Sequence, residues 1–465
     1  MAPRPISTTG KEVARWNLVA TCLLASLFAC TQTPAEKPHL ILILVDTMRA
    51  DHLGAYGYAP GVSPHIDALS EEGIVFEHAV APSPWTRPSV ASLFTSRFPS
   101  EHGAVGFRQS LPESFPTLAE ILADAGYQTL GVTANPTMAG RKSGLARGFQ
   151  RFEQAYVGAR APGPEVMSRE MGGEARHLRT LQASALSELV LATLPPQIEK
   201  PLFLFVHYFD PHSPYDPPGR GEDAPRTSTE DLLRFDWGEV PDSEARSRVV
   251  ASYDAEVSHV DAAIGSLLDA LALRGILSNS VVTLVADHGE EFGEHGRWNH
   301  GATLHQNVLA VPLVIRDFRE DGMGGRRDEL VDLLDVPTTL LALAGCEPTP
   351  AMRGRALLGA PSARSRLIIS EVHLDGGFRT SLSHRRALFD WPWKLVTLQN
   401  EEQVAYRLDR DPEEREPLAV DQAPESIRSD LARLDDELPV VPVKRPDKGA
   451  DEAWSEALRA LGYIE

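Results

Sequence analysis

Several side chains with the chemistry of a nucleophile and its metal ligands stand at the boundaries of predicted secondary structure. Asp46 follows one aliphatic run, and the pair Asp287-His288 follows another. Thr86 stands just before an apolar stretch that is typical of a helix start. Two carboxylates, an imidazole and a hydroxyl are a suitable shell for a divalent cation. A cation held there would lower the pKa of the Thr86 hydroxyl and make it a nucleophile.

Thr86 also has a simpler interpretation. A Thr at a helix boundary commonly accepts a hydrogen bond from an unpaired backbone N–H group and acts as an N-cap. The alternative is a nucleophile at the positive end of a helix, where a phosphate or sulfate anion is also stabilised. Taken alone, this residue leaves both interpretations open.

Strand-like apolar runs are the elements that must position these side chains, and the run 40–45 is aliphatic throughout. Such runs are typical of parallel strands buried on both faces. They alternate with helical patterns, of which the amphipathic stretch 243–274 is the longest. We therefore predict a parallel or mixed α/β sheet between helices, with Asp46 and Asp287 at the carboxyl edge where sites assemble. The runs are 40–45, 129–133, 202–206 and 281–286.

The C-terminal part has a different pattern, because short strand-like pieces follow one another without helices between them. A charged helix is predicted over about 424–438. This predicts a small antiparallel sheet with a helix, packed beside the main domain. The predicted domain division is a signal segment at 1–30, a catalytic domain at 38–360 and a C-terminal subdomain at 361–465. The strand-like pieces are 368–371, 386–389, 393–398 and 404–408.

Composition excludes some classes of function. The chain has 465 residues and a formal net charge of −20, which argues against nucleic-acid binding because no basic stripe balances the acids. An anionic substrate would need local positive charge from a metal ion or from histidines. Of the three cysteines, Cys22 and Cys30 lie near the N-terminus, so no disulfide framework is expected. We predict that Cys346 is a buried structural thiol.

The N-terminal segment predicts export. Basic residues precede the apolar run 18–29, which is typical of a signal peptide and short for a membrane span. The end of the run resembles a bacterial lipobox in which Cys30 is lipidated, with plain secretion as the alternative. By resemblance to bacterial lipoproteins, Thr31 rather than Asp after Cys30 favours the outer membrane. We expect a periplasmic protein that touches the membrane only through a lipid anchor.

Several segments resemble signatures of the sulfatase family, within the alkaline phosphatase superfamily. The resemblance covers nearly all of the chain after the signal segment, in the family's order. It implies a sandwich of a large mixed sheet between helices, a divalent metal and hydrolysis of an anionic ester. The segments are 44–57, 86–97, 210–215, 287–300, 311–315, 394–396 and 406–412.

The nucleophile motif departs from the family pattern. Sulfatases oxidise a Cys or Ser to formylglycine, whereas Thr86 carries a β-methyl group and cannot yield that aldehyde. No formylglycine is expected here. Val90 replaces the Arg that orients the modified residue in the family. A metal-bound Thr resembles the phosphodiesterase, phosphonate-hydrolase and phosphoethanolamine-transferase branches of the superfamily.

The metal and substrate motifs depart from the pattern too. Thr47 replaces the second Asp of the family pair, and His288 replaces the usual Asn. Fewer carboxylates plus an imidazole shift the expected ion from Ca²⁺ toward Mn²⁺ or Zn²⁺. We expect one divalent ion: Ca, Mn or Zn. His300 stands at the sulfate-binding Lys position, and Asn135 lies where the family has Lys-x-His.

The resemblance implies roles for these residues. Asp46, Thr86, Asp287 and His288 would hold the metal, with Thr86 also the nucleophile. His212 and His300 would contact the transferred group or protonate the leaving oxygen. Asn135 and His207 are further substrate-binding candidates, although His207 ends a predicted core strand and a structural role is favoured for it. His102, His295 and His305 are interpreted as structural.

Two classes of function remain. The first is a metal-dependent hydrolase of sulfate or phosphate-type esters, with a phosphodiesterase, phosphonate hydrolase or phosphoethanolamine-type transferase as alternatives. The second is a non-catalytic envelope lipoprotein that binds an anionic glycan or lipid headgroup. The retained acids and histidines favour the enzyme. We expect a small-molecule, glycan or lipid ester as substrate, and phosphorus esters in preference to sulfate esters.

Overall fold

The computed structural model describes most of the chain after its N-terminal segment. The predicted signal peptide and lipobox lie outside the described residues, as does the Gly/Pro-rich stretch 158–173. Pro38–Glu465 is assigned to one unit. The described residues are 1, 36–106, 109–138, 143–157, 179–218, 227, 232, 234–235, 240–320, 322, 324–359, 366–373, 384–398 and 402–442.

The two helices predicted from the sequence, over 243–274 and about 424–438, are both present. The predicted stretch 243–274 forms one helix that begins after the cap Asp242, whose side chain accepts a hydrogen bond from the Ala245 amide. The α-helices of the described chain are α1 (Pro64–Glu71), α2 (Thr86–Thr95), α3 (Pro99–His102), α4 (Leu118–Asp124), α5 (Ala183–Thr193), α6 (Ser243–Leu273), α7 (Gln306–Leu309), α8 (Asp335–Leu343) and α9 (Glu425–Glu437).

The strands fall into a large sheet, a smaller one and two short pairs. The strands of the described chain are β1 (His39–Val45), β2 (Ile74–Val80), β3 (Gln128–Thr133), β4 (Arg151–Gln154), β5 (Tyr156–Val157), β6 (Arg179–Thr180), β7 (Leu202–Tyr208), β8 (Ser280–Ala286), β9 (Glu291–Phe292), β10 (Trp298–Asn299), β11 (Ala310–Val311), β12 (Leu313–Asp317), β13 (Gly325–Asp332), β14 (Ile368–His373), β15 (His384–Asp390), β16 (Trp393–Thr397), β17 (Gln403–Arg407) and β18 (Leu418–Ala419).

The large sheet is mixed. Its order is β11-β2-β12-β8-β1-β7-β3-β4, and β13 pairs with β2 in addition. The strands β4, β3, β7, β1 and β8 run parallel to one another, whereas β12 is antiparallel to both β8 and β2. The central strands β7 and β8 are buried along their whole length, as expected of strands covered on both faces. The predicted α/β architecture is confirmed.

The C-terminal sheet has the order β14-β15-β16-β17-β18, and all its pairings are antiparallel. A separate apolar cluster forms between this sheet and α9, with Ile369, Leu388 and Leu395 from the strands and Ile427 from the helix. The predicted small antiparallel sheet with a final helix is therefore confirmed.

Cys346 corrects one expectation. It follows α8 in a turn, is only partly buried, and donates from Sγ to the Ala344 carbonyl at 3.7 Å. The left-handed Gly345 ends the helix just before it, which turns the thiol toward the edge of the core. No helix among the described residues has the length and apolar character needed to cross a bilayer.

Candidate active site

The carboxyl edge of the parallel strands collects the predicted acids. Asp46 follows β1 and Asp287 follows β8, and these two strands are paired in register up to Val45 and Ala286. Both carboxylates are fully buried. The Asp46 amide donates to the carbonyl of Tyr208 at the end of β7, which extends the sheet by one residue into the site. Adjacent parallel strands thus deliver both acids to one point.

Thr86 enters the site from the start of α2. The extended residue Trp85 is the N-cap, and Thr86 is the first helical residue and does not cap the helix. Its Oγ1 lies 3.4 Å from Asp46 Oδ2 and 3.3 Å from His288 Nε2. The N-cap interpretation of Thr86 is therefore wrong, because its hydroxyl faces the acids and the imidazole. Pro88 in the first helical turn fits the helix start, since its fixed φ suits this position.

The cluster fits a divalent cation. Ligand atoms of Asp46, Asp287 and His288 lie within 4.8 Å of one another. Among the described residues no hydrogen bond reaches Asp46 Oδ1 or Asp287 Oδ2, although both atoms are buried. Buried carboxylate oxygens without partners cost free energy unless a cation or proton satisfies them. The donor set of two carboxylates, one imidazole and one hydroxyl suits Mn²⁺ or Zn²⁺.

The raised pKa values of the two acids also indicate a cation site. Burial raises the pKa of Asp46 well above its usual range, although the Asn135 amide offsets part of this effect. Burial raises the pKa of Asp287 to about 6, and the neighbouring charge of Asp46 adds to the increase. Two buried carboxylates this close cannot both ionise without positive charge nearby. A cation at this point would supply that charge.

His288 is held in the tautomer that a metal requires. Its Nδ1 lies 2.9 Å from the Gly289 carbonyl, which can accept only from an N–H group. Nε2 therefore keeps its lone pair and faces Thr86, 3.5 Å from Asp287 Oδ2. Burial lowers the pKa of His288 to about 3, so the ring is neutral at pH 7. Neutral imidazole anchored at its other nitrogen is the usual form of a histidine ligand.

His300 and His212 lie next to this cluster. The His300 ring centroid is 4.4 Å from that of His288 and 5.0 Å from that of His212. His300 Nδ1 contacts Glu290 Oε1 at 3.0 Å, and His212 Nδ1 contacts the Ser213 carbonyl at 2.7 Å. Burial lowers the pKa of His300 to about 3 and that of His212 well below its usual range. Both rings are therefore neutral in the metal-free protein.

Asn135 and His207 contact Asp46 from the neighbouring strands. Asn135 follows β3, and its Nδ2 donates to Asp46 Oδ2 and lies 3.4 Å from Thr86 Oγ1. The amide is oriented by Thr137, whose N and Oγ1 both donate to Asn135 Oδ1. His207 Nε2 is 3.4 Å from the same oxygen of Asp46. His207 thus borders the candidate cation site, although a structural role was favoured from its strand position.

Other histidines lie in separate contacts. His102 Nε2 is 3.1 Å from the Ser92 hydroxyl, and its Nδ1 accepts from the Ala104 amide. His305 Nδ1 is 3.1 Å from Glu291 Oε1. The His305 ring stacks on the His295 ring, with centroids 3.8 Å apart. The structure brings the predicted metal and substrate residues together and leaves these three apart. The catalytic and ligand roles stay predictions.

Three supporting residues had no role in the sequence analysis. Thr47 has φ 51°, a left-handed conformation that is rare for a β-branched residue. Tyr253, on α6, donates to the Thr47 carbonyl at 2.8 Å and accepts from the Arg49 amide at 2.9 Å. Glu290 orients His300 and is one residue beyond Gly289. Glu290 could have been found from its place in the 287–300 motif, whereas Tyr253 is about 200 residues from its partners and carries no such signal.

Comparisons with known proteins identify the family of the chain. The Sulfatase family model matches residues 38–346, which is more than half of the chain. An arylsulfatase of Clostridium perfringens is 26% identical over 442 residues, covering 81% of this chain and 89% of the relative.

Solved structures agree on the fold. The phosphonate monoester hydrolase of Agrobacterium radiobacter has a TM-score of 0.68 at 20% identity, covering 86% of this chain and 95% of its own. A structure in complex with its substrate D-glucosamine-2-N,6-O-disulfate has a TM-score of 0.68 at 18% identity, covering 86% and 97%. At these identities the likeness concerns the fold. The family model, the order of the motifs and the shared fold together show that this chain belongs to the sulfatase family of metal-dependent ester hydrolases.

Proposed function

We propose that the chain is a metal-dependent hydrolase of phosphorus esters that uses unmodified Thr86 as its nucleophile. The observation that carries the proposal is the position of Thr86 Oγ1, 3.4 Å from Asp46 and 3.3 Å from His288, beside two carboxylate oxygens without hydrogen-bond partners in the described chain. A merely structural Thr at a helix start would cap the helix instead.

The ligands for the ion would be Asp46, Asp287, His288 and Thr86. When bound, the ion would supply positive charge that lowers the pKa of the Thr86 hydroxyl and stabilises negative charge on the ester. Mn²⁺ and Zn²⁺ suit the imidazole better than Ca²⁺ does.

In the proposed first step, Thr86 Oγ1 forms a bond to phosphorus while the bond from phosphorus to the leaving alcohol breaks. The proton lost by Thr86 ends on the alcohol, and His212 or His300 accepts and returns it. The N-terminus of α2 and the Asn135 amide stabilise charge that develops around the nucleophile. Water then forms a bond to phosphorus while the bond from phosphorus to Thr86 Oγ1 breaks, and the proton lost by the water returns to Thr86 Oγ1.

The preference for phosphorus follows from the covalent intermediate. A formylglycine hydrate has a second hydroxyl on the same carbon, so its sulfate ester can leave by elimination. A Thr86 ester has no such hydroxyl, and water must attack the transferred group directly. Positioned positive charge assists that attack at phosphorus. Val90 in place of the family's Arg also leaves the site with one cation fewer than the family pattern.

Trapping the intermediate tests this proposal. The metal-loaded protein is mixed with an aryl phosphonate monoester or phosphate diester, quenched in acid within one turnover, and digested for mass spectrometry. The proposal predicts a phosphoryl or phosphonyl group on Thr86. The matched control is Thr95, which lies in the same helix and donates from Oγ1 to the Ala91 carbonyl. Turnover without any adduct on Thr86, or an adduct on another residue, would overturn the proposal.

A further inference from the structure

A second cluster of possible metal ligands lies on the C-terminal sheet, away from the acids described above. Ligand atoms of Glu371, His373 and His384 lie within 4.8 Å of one another. Glu371 and His373 are on β14, and His384 faces His373 across the pairing of β14 with β15. The two ring centroids are 4.4 Å apart. Side-chain exposure is 0% for Glu371, 1% for His373 and 9% for His384.

The imidazole nitrogens that face Glu371 have no hydrogen-bond partners. His373 Nε2 lies 3.8 Å from Glu371 Oε2, and His384 Nε2 lies 3.5 Å from Glu371 Oε1. Both nitrogens are buried, and neither makes a hydrogen bond within the described part of the chain. Buried polar atoms of this kind are normally satisfied by a partner, a water or an ion.

His373 is oriented as a metal ligand would be. Its Nδ1 is 3.2 Å from the carbonyl oxygen of Val441, which accepts only from an N–H group. The proton of the neutral ring is therefore on Nδ1, and the lone pair of Nε2 faces Glu371. A backbone carbonyl that binds the other nitrogen is the usual support of a metal-bound histidine. A lone pair that faces a buried carboxylate is unfavourable unless a proton or a metal cation lies between the two groups.

We infer that Glu371, His373 and His384 form a zinc site with three protein ligands. Zinc with nitrogen ligands at 2.0–2.1 Å in a tetrahedron places its ligand atoms about 3.3 Å apart. The present separations of 3.5 Å and 3.8 Å need only a small contraction to meet this spacing.

Glu371 retains capacity for the ion despite its other contacts. Its Oε1 accepts from Arg386 Nε at 2.7 Å, and its Oε2 accepts from the Ser100 amide at 2.7 Å. Each carboxylate oxygen accepts up to two bonds, so one position on each remains. Water would complete the zinc shell.

The site would join the small sheet to the segment that leads into α2. The Glu371 amide donates to the Pro82 carbonyl at 2.9 Å, and the Ser83 hydroxyl donates to the Glu371 carbonyl at 2.9 Å. Pro82 and Ser83 come shortly before Thr86. Zinc bound at Glu371 would stabilise the backbone that positions the start of this helix, and the inference does not depend on the reaction proposed above.

The experiment measures zinc binding in full-length protein whose first cluster is disabled by Asp46→Asn and Asp287→Asn. After chelator treatment and addition of Zn²⁺ alone, elemental analysis should find one tightly held zinc per chain. Adding His373→Gln and His384→Gln should remove it. The matched control adds His295→Gln and His305→Gln, which should retain the zinc because the His305 nitrogen facing Glu291 is already hydrogen-bonded to it.

The results decide the inference in either direction. Absence of tightly held zinc from the Asp46→Asn, Asp287→Asn protein would overturn it, as would full retention after loss of both histidines. If the His373→Gln, His384→Gln protein does not fold, the Co²⁺ spectrum of the background protein decides. Intense tetrahedral absorption supports the site, and the weak spectrum of octahedral Co²⁺ overturns it. Failure of the catalytic proposal would leave these results unchanged.

Discussion

Thr86 is the residue on which the proposed chemistry depends. It begins α2, is fully buried, and its hydroxyl contacts both Asp46 and His288. Its β-methyl group excludes the aldehyde that sulfatases use, and its hydroxyl is the group that must react. Removing this hydroxyl therefore tests the mechanism more sharply than changing any histidine, because two histidines share the proposed proton transfer.

We expect Thr86→Ala to lower kcat/KM for a phosphate diester by about 10⁴-fold or more, since loss of a nucleophile removes the covalent route. Thr86→Cys should not create sulfatase activity while Val90 remains. The control Thr95→Ala removes a buried hydroxyl from the same helix and should keep near-normal kcat/KM. Steady-state kinetics with metal-loaded proteins provide the measurement. Near-normal activity of Thr86→Ala would refute the assigned role.

The two buried acids predict a pH-dependent effect of metal removal. The folded-state pKa of Asp287 is about 6, above the usual 3.8. Its contribution to stability is therefore fully present below about pH 4 and is lost as pH rises through about 6. A bound cation offsets this loss at neutral pH. Metal should raise the melting temperature more at pH 7.5 than at pH 5, by roughly 2 °C or more.

Thermal unfolding with and without chelator at both pH values checks this expectation. The Asp46→Asn, Asp287→Asn protein is the control, in which the pH dependence of the metal effect should shrink. A metal effect that is equal or larger at pH 5 in the unaltered chain would contradict the assignment of these acids as the ligands.

At the scale of elements, the site depends on strands and on one long helix. Strands β3, β7, β1 and β8 are parallel and deliver Asn135, His207, Asp46 and Asp287 to one edge. The helix α6 supports the same edge through Tyr253, whose hydroxyl bonds the backbone on both sides of Met48. This contact holds the left-handed turn at Thr47 directly after Asp46.

Tyr253→Phe should therefore weaken catalysis and stability together. The change leaves the Thr47 carbonyl and the Arg49 amide buried without their partner, at a cost of about 1–3 kcal/mol. We expect kcat to fall because Asp46 loses its fixed position. Tyr56→Phe is the control, since the Tyr56 hydroxyl also bonds backbone groups, at Phe76 and Leu313, away from the acids. A fall in kcat that is no larger for Tyr253→Phe than for Tyr56→Phe would show that the contact supports stability alone.

Some strands of the large sheet could be predicted from the sequence and others could not. The central strands could be predicted because they are buried on both faces and are therefore mostly apolar. The strand β2 was missed because Glu77 and His78 interrupt it, and β13 was missed because its first half is exposed and charged. The antiparallel direction of β12 is not encoded in its aliphatic run, since an aliphatic run has no polarity of its own.

The sequence likewise predicts only part of the candidate site. Asp46 and Asp287 follow long aliphatic runs, so their meeting at one edge follows from parallel pairing. The approach of His207 to Asp46 depends on which face of β7 carries its side chain, and a run buried on both faces does not indicate this. The contact of Glu290 with His300 follows from the antiparallel pairing of β9 with β10, in which Glu291 faces Asn299, and strands of two residues carry no recognisable pattern of their own.

At the scale of the whole molecule, the N-terminal segment carries a separate proposal about location. We propose that residues 1–30 direct export and that Cys30 receives a lipid. Cys30→Ser should then move the protein from the membrane fraction to the soluble periplasmic fraction, because a lipid chain is the proposed membrane contact. Fractionation and immunoblotting of cells that express either form give the answer. Unchanged membrane association of Cys30→Ser would contradict the lipid anchor.

The net charge of −20 affects how an anionic substrate is attracted to the protein. An anionic ester approaching this protein meets repulsion overall, so attraction must come from the ion and from groups close to Thr86. The account therefore predicts that hydrolysis depends strictly on a divalent metal and on a transferred group that unmodified Thr86 can release again. Phosphorus satisfies the second condition better than sulfur does.

The most direct test of this central claim compares two esters of one phenol. The value of kcat/KM is measured side by side for an aryl sulfate and a matched aryl phosphate diester, with Mn²⁺, Zn²⁺ or Ca²⁺ supplied and with mass spectrometry showing that Thr86 is unmodified. We predict that the diester is favoured by roughly 100-fold or more, which corresponds to about 2.7 kcal/mol in the transition state. Efficient hydrolysis of the sulfate by the unmodified Thr86 enzyme, at or above the diester rate, would contradict the account.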